Sequence, residues 1–145
     1  MIAQTIQLAL APVFVLVAIG HFLNTLSARL SRVADRARDL EHRYAATTGR
    51  EHEMVVDLIR ATDRRIVLIG KSVKAMVLSG LATGLAVAIL FLDEILHTDL
   101  QLVAGAMFLV AVALLMWGLV LFLRETQVAT DALRIPLDFH DPRMN

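Results

Sequence analysis

The residues best suited to metal or cation chemistry lie in one short acidic segment. Asp93, Glu94, His97 and Asp99 fall within seven residues of one another. If this segment is helical, Glu94 and His97 share one face and present two groups that bind metal ions. A single pair supplies too few ligands for a closed metal site, so a solvated acidic cap is the first expectation. Copies of the segment in a symmetric oligomer would instead form a ring that attracts cations.

Polar groups also interrupt two long apolar runs. His21 and Asn24 lie near the end of the first run, and Ser79 and Thr83 lie in the second, on a face of small residues. Packing and hydrogen bonding between helices are the usual roles of such groups. Lining the pore of an oligomer is the alternative for all four. No carboxylate lies within the apolar runs, which argues against a proton- or cation-coupled transporter.

Arginines follow the first apolar run in a regular pattern. Arg29, Arg36 and Arg43 are seven residues apart, and Arg32 lies between the first two. A row of this kind is usually a solvated helix face. Contact with anionic lipid or with a cytoplasmic protein is the functional alternative. Nucleic acid is not an expected partner, because acidic residues interleave with the arginines and no row of aromatic residues is present.

The composition gives no support for an enzyme. The chain has no cysteine, no phosphate-binding glycine loop and no set of Ser, His and Asp residues typical of a nucleophilic site. We therefore expect no catalytic residue, no resident metal and no cofactor.

Membrane-spanning helices are the elements that must position these residues. Of the 145 residues, 57% are apolar and 19% are charged, and the mean hydropathy is +0.66. Uncharged runs at about 6–26, 75–92 and 100–123 are each long enough to cross, as a helix, a hydrocarbon core of about 30 Å. None of them alternates polar and apolar residues as a barrel strand does. The expected fold class is an all-α membrane protein with three transmembrane helices in a single membrane domain.

The distribution of charge predicts the orientation in the membrane. Residues 27–74 contain eleven Lys or Arg, whereas the link at 93–99 contains three acids and no Lys or Arg. Basic segments stay on the cytoplasmic side, so the N-terminus is expected outside and the tail at 124–145 in the cytoplasm. The first run is expected to be retained rather than cleaved, because no basic residue precedes it. Lys71 and Lys74 are expected to be interfacial anchors, and Trp117 a packing residue within the third span.

Residues 27–74 are expected to form a cytoplasmic antiparallel coiled-coil hairpin that continues the first two spans. Apolar residues recur at alternating steps of three and four from Leu23 to Tyr44, and again from Val55 to Val73. This is the pattern of a coiled-coil seam. The two stripes are therefore expected to face each other.

The turn between the two arms of the hairpin is expected near residues 46–49. Thr48 and Glu51 have the spacing of a capping box, in which each side chain satisfies a backbone donor at a helix start. Beyond the turn, Asp57 and Asp63 lie on the arm opposite the arginines, so ion pairs between the arms are expected.

Two segments carry a likeness to a known family. They are LALAPVFVLVAIG at residues 8–20, followed by Asn24, and RLSRVADRAR at residues 29–38, followed by Leu40 and Glu41. With them the chain resembles the bacterial membrane family called domain of unknown function 2721, over nearly its whole length. The resemblance implies the bacterial inner (cytoplasmic) membrane and supports the architecture. It brings no activity, cofactor or catalytic residue.

Two functions are compatible with this pattern. The first is a homo-oligomer that conducts ions, with His21 and Asn24 in the pore and the outer acids as a cation-attracting ring. The second is a non-conducting scaffold or regulatory subunit, whose hairpin binds a cytoplasmic protein or anionic lipid through its arginines. A homo-oligomer embedded in the lipid bilayer is the favoured expectation.

Overall fold

Three long helices account for nearly all of the chain that the computed structural model describes, which is residues 2–131. Helix α1 spans Ile2–Ala46, α2 spans Arg50–Leu96 and α3 spans Gln101–Asp131. All three are long and apolar enough to cross a membrane. At 1.5 Å per residue, α1 and α2 are each about 70 Å long and α3 is about 45 Å long. The all-helical character predicted from the sequence is confirmed, and the part of the predicted tail that follows Asp131 lies outside the described residues.

The connection between α1 and α2 consists of residues 47–49 and depends on a glycine. Gly49 has φ 70° and ψ −139°, a backbone conformation that side chains with a Cβ atom rarely adopt. Its carbonyl accepts the backbone N–H groups of His52 at 3.1 Å and Glu53 at 3.3 Å. The predicted capping box of Thr48 and Glu51 is wrong, because Gly49 occupies the N-cap position and no side chain caps the helix.

The connection between α2 and α3 is short because α2 continues through much of the acidic segment. The helix ends at Leu96, and His97 takes the left-handed conformation with φ 52° and ψ 40°. Asp93 Oδ1 accepts the backbone N–H of Leu100 at 2.8 Å, which closes the turn before α3 begins. The predicted helical pair of Glu94 and His97 is therefore wrong, since His97 has already left the helix.

The helices form an open bundle in which α1 and α3 pack against adjacent faces of α2. Apolar side chains of α3, including Phe122, also pack against the core that α1 and α2 share. Helix α2 packs along both α1 and α3, whereas the backbones of α1 and α3 scarcely approach each other. Most of each apolar segment consequently remains on the surface, where large side chains such as Phe14, Leu81 and Leu109 are at least 66% exposed.

Large apolar side chains form most of the contact between α1 and α2. Its buried residues recur every seven positions: Ile19, Leu26, Val33 and Leu40 on α1, and Val55, Thr62, Ile69 and Met76 on α2. The antiparallel register is fixed by contacts along its length. Tyr44 and His52 stack near the turn with ring centroids 4.3 Å apart, and a Cβ on Gly80 would lie 3.8 Å from Ile19 Cγ2 at the other end.

Small side chains form the contact between α2 and α3. It also repeats every seven positions, with Ser72, Ser79 and Ala86 on α2 and Ala104, Ala111 and Gly118 on α3. The Ser72 hydroxyl donates to the Gly118 carbonyl and the Ser79 hydroxyl to the Ala111 carbonyl, each at 2.7 Å. The helices are so close that a Cβ on Gly118 would lie 3.1 Å from Met76 Cε. Small residues allow this approach, as is common between helices in membranes.

Candidate functional site

A buried carboxylate joins all three helices at one level of the bundle. Glu125 of α3 has an exposed fraction of 0%. Its Oε2 accepts Arg29 Nη1 of α1 at 2.9 Å, and its Oε1 accepts Arg65 of α2 through Nε at 3.1 Å and Nη2 at 3.0 Å. Two charge-assisted contacts compensate the cost of removing the carboxylate from water. Glu125 therefore links α1, α2 and α3 through one buried carboxylate.

Further contacts hold Arg29 in place at this junction. Its guanidinium carbon lies 4.9 Å from the centroid of the Phe122 ring, a cation–π distance, and its Nη1 also lies 3.5 Å from the Thr126 hydroxyl. Arg29 and Arg65 each keep only 29% of their side-chain surface exposed. The guanidinium groups are thus oriented by the protein rather than free in solvent.

Sequence reasoning missed Glu125, although its position carried a signal. It is the only Asp or Glu between Gln101 and Thr130. It also continues the seven-residue repeat of Ala104, Ala111 and Gly118, so it lies on the packed face of α3. An isolated acid on a packed face requires a basic partner, and this rule points to an arginine on another helix.

An open groove beside this junction is lined mainly by arginines. Its volume is about 310 Å³ and its lining residues are Arg29, Arg32, Val33, Arg36 and Arg65; we call it the arginine groove. Arg32 and Arg36 are exposed and form no ion pair with any residue from 2 to 131. Four guanidinium groups and the single carboxylate of Glu125 therefore leave a strongly positive cavity.

The structure brings three of the four predicted arginines to the arginine groove and separates the fourth. Arg43 lies nearer the turn and pairs with Asp39 of its own helix at 3.3 Å. The predicted ion pairs between the arms are wrong, because Arg29 pairs with Glu125 and Asp57 pairs with Arg60 of its own helix at 3.7 Å. Arg65, which the sequence did not single out, takes the place of Arg43 in the cluster.

The four predicted pore residues do not lie together. Ser79 and Thr83 are fully buried, and their hydroxyl groups donate to the carbonyls of Ala111 and Ser79. His21 and Asn24 are exposed on α1, and neither side chain forms a hydrogen bond to another helix within residues 2–131. Ser79 and Thr83 thus serve packing within the chain, and His21 and Asn24 lie on an outer face.

Trp117 was expected to pack within the third span, and this expectation is wrong for the single chain. The Trp117 side chain is 58% exposed and lines a groove with Lys71 and Lys74. The hydrogen bond between Ser72 and the carbonyl of Gly118 fixes this level. Trp117 therefore lies beside the charged residues that precede the uncharged run of α2.

The acidic segment surrounds a separate cavity at the opposite end of the bundle from the arginine groove. This cavity has a volume of about 420 Å³, and Gln4 and Gln101 line it together with Asp93, Glu94 and His97. Asp99 does not line it. Residues 2–131 contain no group of three His, Cys, Asp or Glu side chains placed to hold a metal ion.

Comparison with known proteins identifies one family. The model of the family described as "Protein of unknown function (DUF2721)" matches residues 9–135, which is most of the chain. No curated protein and no solved structure matches the chain. The match covers most of α1 and all of α2 and α3, including the three residues of the Arg29–Glu125–Arg65 junction.

Proposed function

The chain belongs to the DUF2721 family, and we propose that it is a non-conducting membrane scaffold that binds an acidic segment of a cytoplasmic protein at the arginine groove. In this proposal the three helices cross the bacterial inner membrane with the N-terminus outside. Residues 27–74 then form an antiparallel coiled-coil stalk in the cytoplasm, as the excess of basic residues there favours. The arginine groove lies at the base of this stalk.

The observation that carries the proposal is the presence of unpaired, exposed arginines beside arginines that are fixed. Glu125 holds Arg29 and Arg65 in place, while Arg32 and Arg36 are free to contact a ligand. Arginine presents several N–H donors in a planar fork that suits carboxylates. Since part of the site is already ordered, an acidic segment that binds there loses less side-chain entropy from the protein.

The positions of the predicted pore residues favour a scaffold over a conducting pore. Within the chain, the hydroxyl groups of Ser79 and Thr83 are already used in packing. The remaining predicted pore residues, His21 and Asn24, lie on one side of α1 near the level of Lys74 and Lys71 by the register of α1 with α2. At that depth they can contact lipid headgroups without a pore.

A direct test measures binding of an acidic peptide to the reconstituted full chain. The protein is placed in nanodiscs of neutral lipid, and a fluorescent polyglutamate peptide is titrated with anisotropy as the readout. We expect Arg32→Glu/Arg36→Glu to weaken binding by about 30-fold or more, from about 1 kcal/mol for each basic side chain. The matched control is Arg38→Glu/Arg43→Glu, which changes the same charge at exposed positions outside the groove and should have a far smaller effect.

Three results would contradict the proposal. Equal losses in both double variants would mean that the peptide responds only to the overall charge of the stalk. Undiminished binding in Arg32→Glu/Arg36→Glu would place the site elsewhere. A third comparison uses nanodiscs that contain anionic lipid: if lipid alone abolishes peptide binding to the wild type, the arginine groove is a lipid site and the protein-scaffold proposal fails.

A cation-conducting homo-oligomer is the second candidate, and the acidic cavity at the 97–100 connection supports it. Asp93, Glu94 and His97 line this cavity together, so copies around a symmetry axis would concentrate negative charge at an outer mouth. Three helices need partner subunits to enclose a pathway. The mass of the protein in nanodiscs decides between the candidates, since a monomer or dimer cannot close a ring and a larger closed ring would justify flux measurements.

A further inference from the structure

A second groove, between α2 and α3, combines an apolar surface with unpaired cations. It has a volume of about 460 Å³, within the range of small-molecule sites. Lys71, Lys74 and Arg124 line it together with apolar side chains that include Leu78, Leu114 and Trp117. The three cations are exposed, and none pairs with an acid in the described part of the chain.

The charged and apolar parts of this groove are separated along the helices. Lys71 and Lys74 precede the uncharged run of α2 that begins at Ala75, and Arg124 follows the uncharged run of α3 that ends at Leu123. Leu78 and Leu114 lie at the opposite end, inside those runs. The distance from the level of Arg124 to that of Leu78 is roughly 18 Å at 1.5 Å per residue, so the groove passes from the polar edge of the membrane into its apolar interior.

We propose that this groove is a binding site for an anionic phospholipid. The headgroup phosphate contacts Lys71, Lys74 and Arg124, and an acyl chain lies against Leu78, Leu114 and the ring of Trp117. Charge complementarity selects the headgroup, because three cations without a protein partner are matched by a phosphate. The apolar half selects a molecule with a hydrocarbon chain, which a free phosphate ion lacks. Basic pockets between membrane helices bind anionic headgroups in this way.

The chain carries its own reporter for this site, since Trp117 is its only tryptophan. Lipids with brominated acyl chains quench tryptophan fluorescence on contact. The full-length protein is reconstituted in nanodiscs of phosphatidylcholine that contain a fixed fraction of brominated phosphatidylglycerol, or the same fraction of brominated phosphatidylcholine. We expect the anionic quencher to be the more effective by at least about 5-fold in apparent affinity, which corresponds to one basic contact.

Substitution of the lysines tests whether the preference belongs to this groove. Lys71→Gln/Lys74→Gln should lower the ratio of the two apparent affinities to the share that Arg124 alone contributes, whereas Lys71→Arg/Lys74→Arg should retain the full preference. Arg38→Gln/Arg60→Gln removes the same charge from exposed positions on the two arms and should leave the ratio unchanged. Circular dichroism of each variant shows whether its helices are intact.

Four outcomes would overturn the lipid site. One is equal quenching of the wild type by the two lipids. Another is a preference that is undiminished in Lys71→Gln/Lys74→Gln, and a third is an equal loss in Arg38→Gln/Arg60→Gln. Addition of inorganic phosphate at physiological concentration should not reverse the preference; if it does, the groove binds free anions and not lipid. None of these results depends on peptide binding at the arginine groove, so the two proposals fail independently.

Discussion

The contact of α2 with α1 and its contact with α3 share a spacing of seven residues and differ in the side chains that occupy it. On the α1 side, Leu26, Val33 and Leu40 meet Val55 and Ile69. On the α3 side, Ser72 and Ser79 donate hydrogen bonds to backbone carbonyls of α3. One helix thus uses two different kinds of packing on its two faces.

The difference follows from the surroundings that each contact has in the proposed topology. Much of the α1–α2 contact extends into water, where burying large apolar side chains stabilises the folded state by about 25 cal/mol for each Å². The α2–α3 contact lies mainly within the apolar runs, where lipid is as apolar as leucine and offers no such gain. Close approach and hydrogen bonds of small residues then take the place of hydrophobic burial.

Removal of the Glu125 carboxylate, which contacts arginines of both α1 and α2, is expected to have the largest effect on stability. Glu125→Ala leaves Arg29 and Arg65 close together without an anion, so we expect the free energy of unfolding to fall by about 3 kcal/mol. Unfolding in mixed micelles with increasing detergent denaturant, followed by circular dichroism, measures this change. Glu53→Ala, at an exposed position, is the control and should change stability by less than about 0.5 kcal/mol.

A double-mutant cycle separates the ion pair from other consequences of this substitution. If Arg29→Ala and Glu125→Ala act through their mutual contact, their effects will be less than additive. Additive effects, or a stable Glu125→Ala variant, would show that the junction does not tie α1 to α3.

Truncation of a stalk leucine tests the hydrophobic contact between α1 and α2. Leu40 is 2% exposed, and Leu40→Ala should lower the free energy of unfolding by about 2 kcal/mol, at the low end for a buried leucine because a pair of helices closes readily around a small cavity. The same denaturation experiment applies. Leu58→Ala removes the same atoms at a position that is 42% exposed, and a loss as large there would argue against a specific seam.

Loss of a serine hydroxyl tests the contact between α2 and α3 and should have the smallest effect on stability. Ser79→Ala removes the hydrogen bond to the Ala111 carbonyl, and we expect a change of about 0.6 kcal/mol, the average for hydrogen bonds between membrane helices. Ser27→Ala, at an exposed position, serves as the reference. A loss for Ser79→Ala as large as that for Leu40→Ala would remove the proposed distinction between the two contacts.

The sequence predicted the features that depend on local pattern. The apolar stripes contain Leu26, Val33 and Leu40 on one arm and Val55 and Ile69 on the other, and all five are buried. The repeat of three and four residues is a property of each helix alone, so it can be recognised before the neighbours are known.

The candidate site was only partly predictable, because it depends on how the helices are aligned. The sequence identified Arg29, Arg32 and Arg36, but which acid faces Arg29 is decided by the register of three helices. The nearest acids along the chain were therefore poor candidates, and Glu125, 96 residues away, is the partner. Trp117 was misjudged for the same reason, since its neighbours Lys71 and Lys74 belong to another helix.

The seven-residue repeat on both arms of the hairpin also determines how far its tip can extend from the membrane. Removing seven residues from each arm would draw the tip inward by about 10 Å and leave every remaining buried residue facing its partner. Removing two or five would rotate the end of each arm by roughly 140–160° and expose its apolar stripe. The reach of such a hairpin therefore changes in steps of one seven-residue repeat. Relatives with longer or shorter hairpins are expected to differ by multiples of seven residues in both arms.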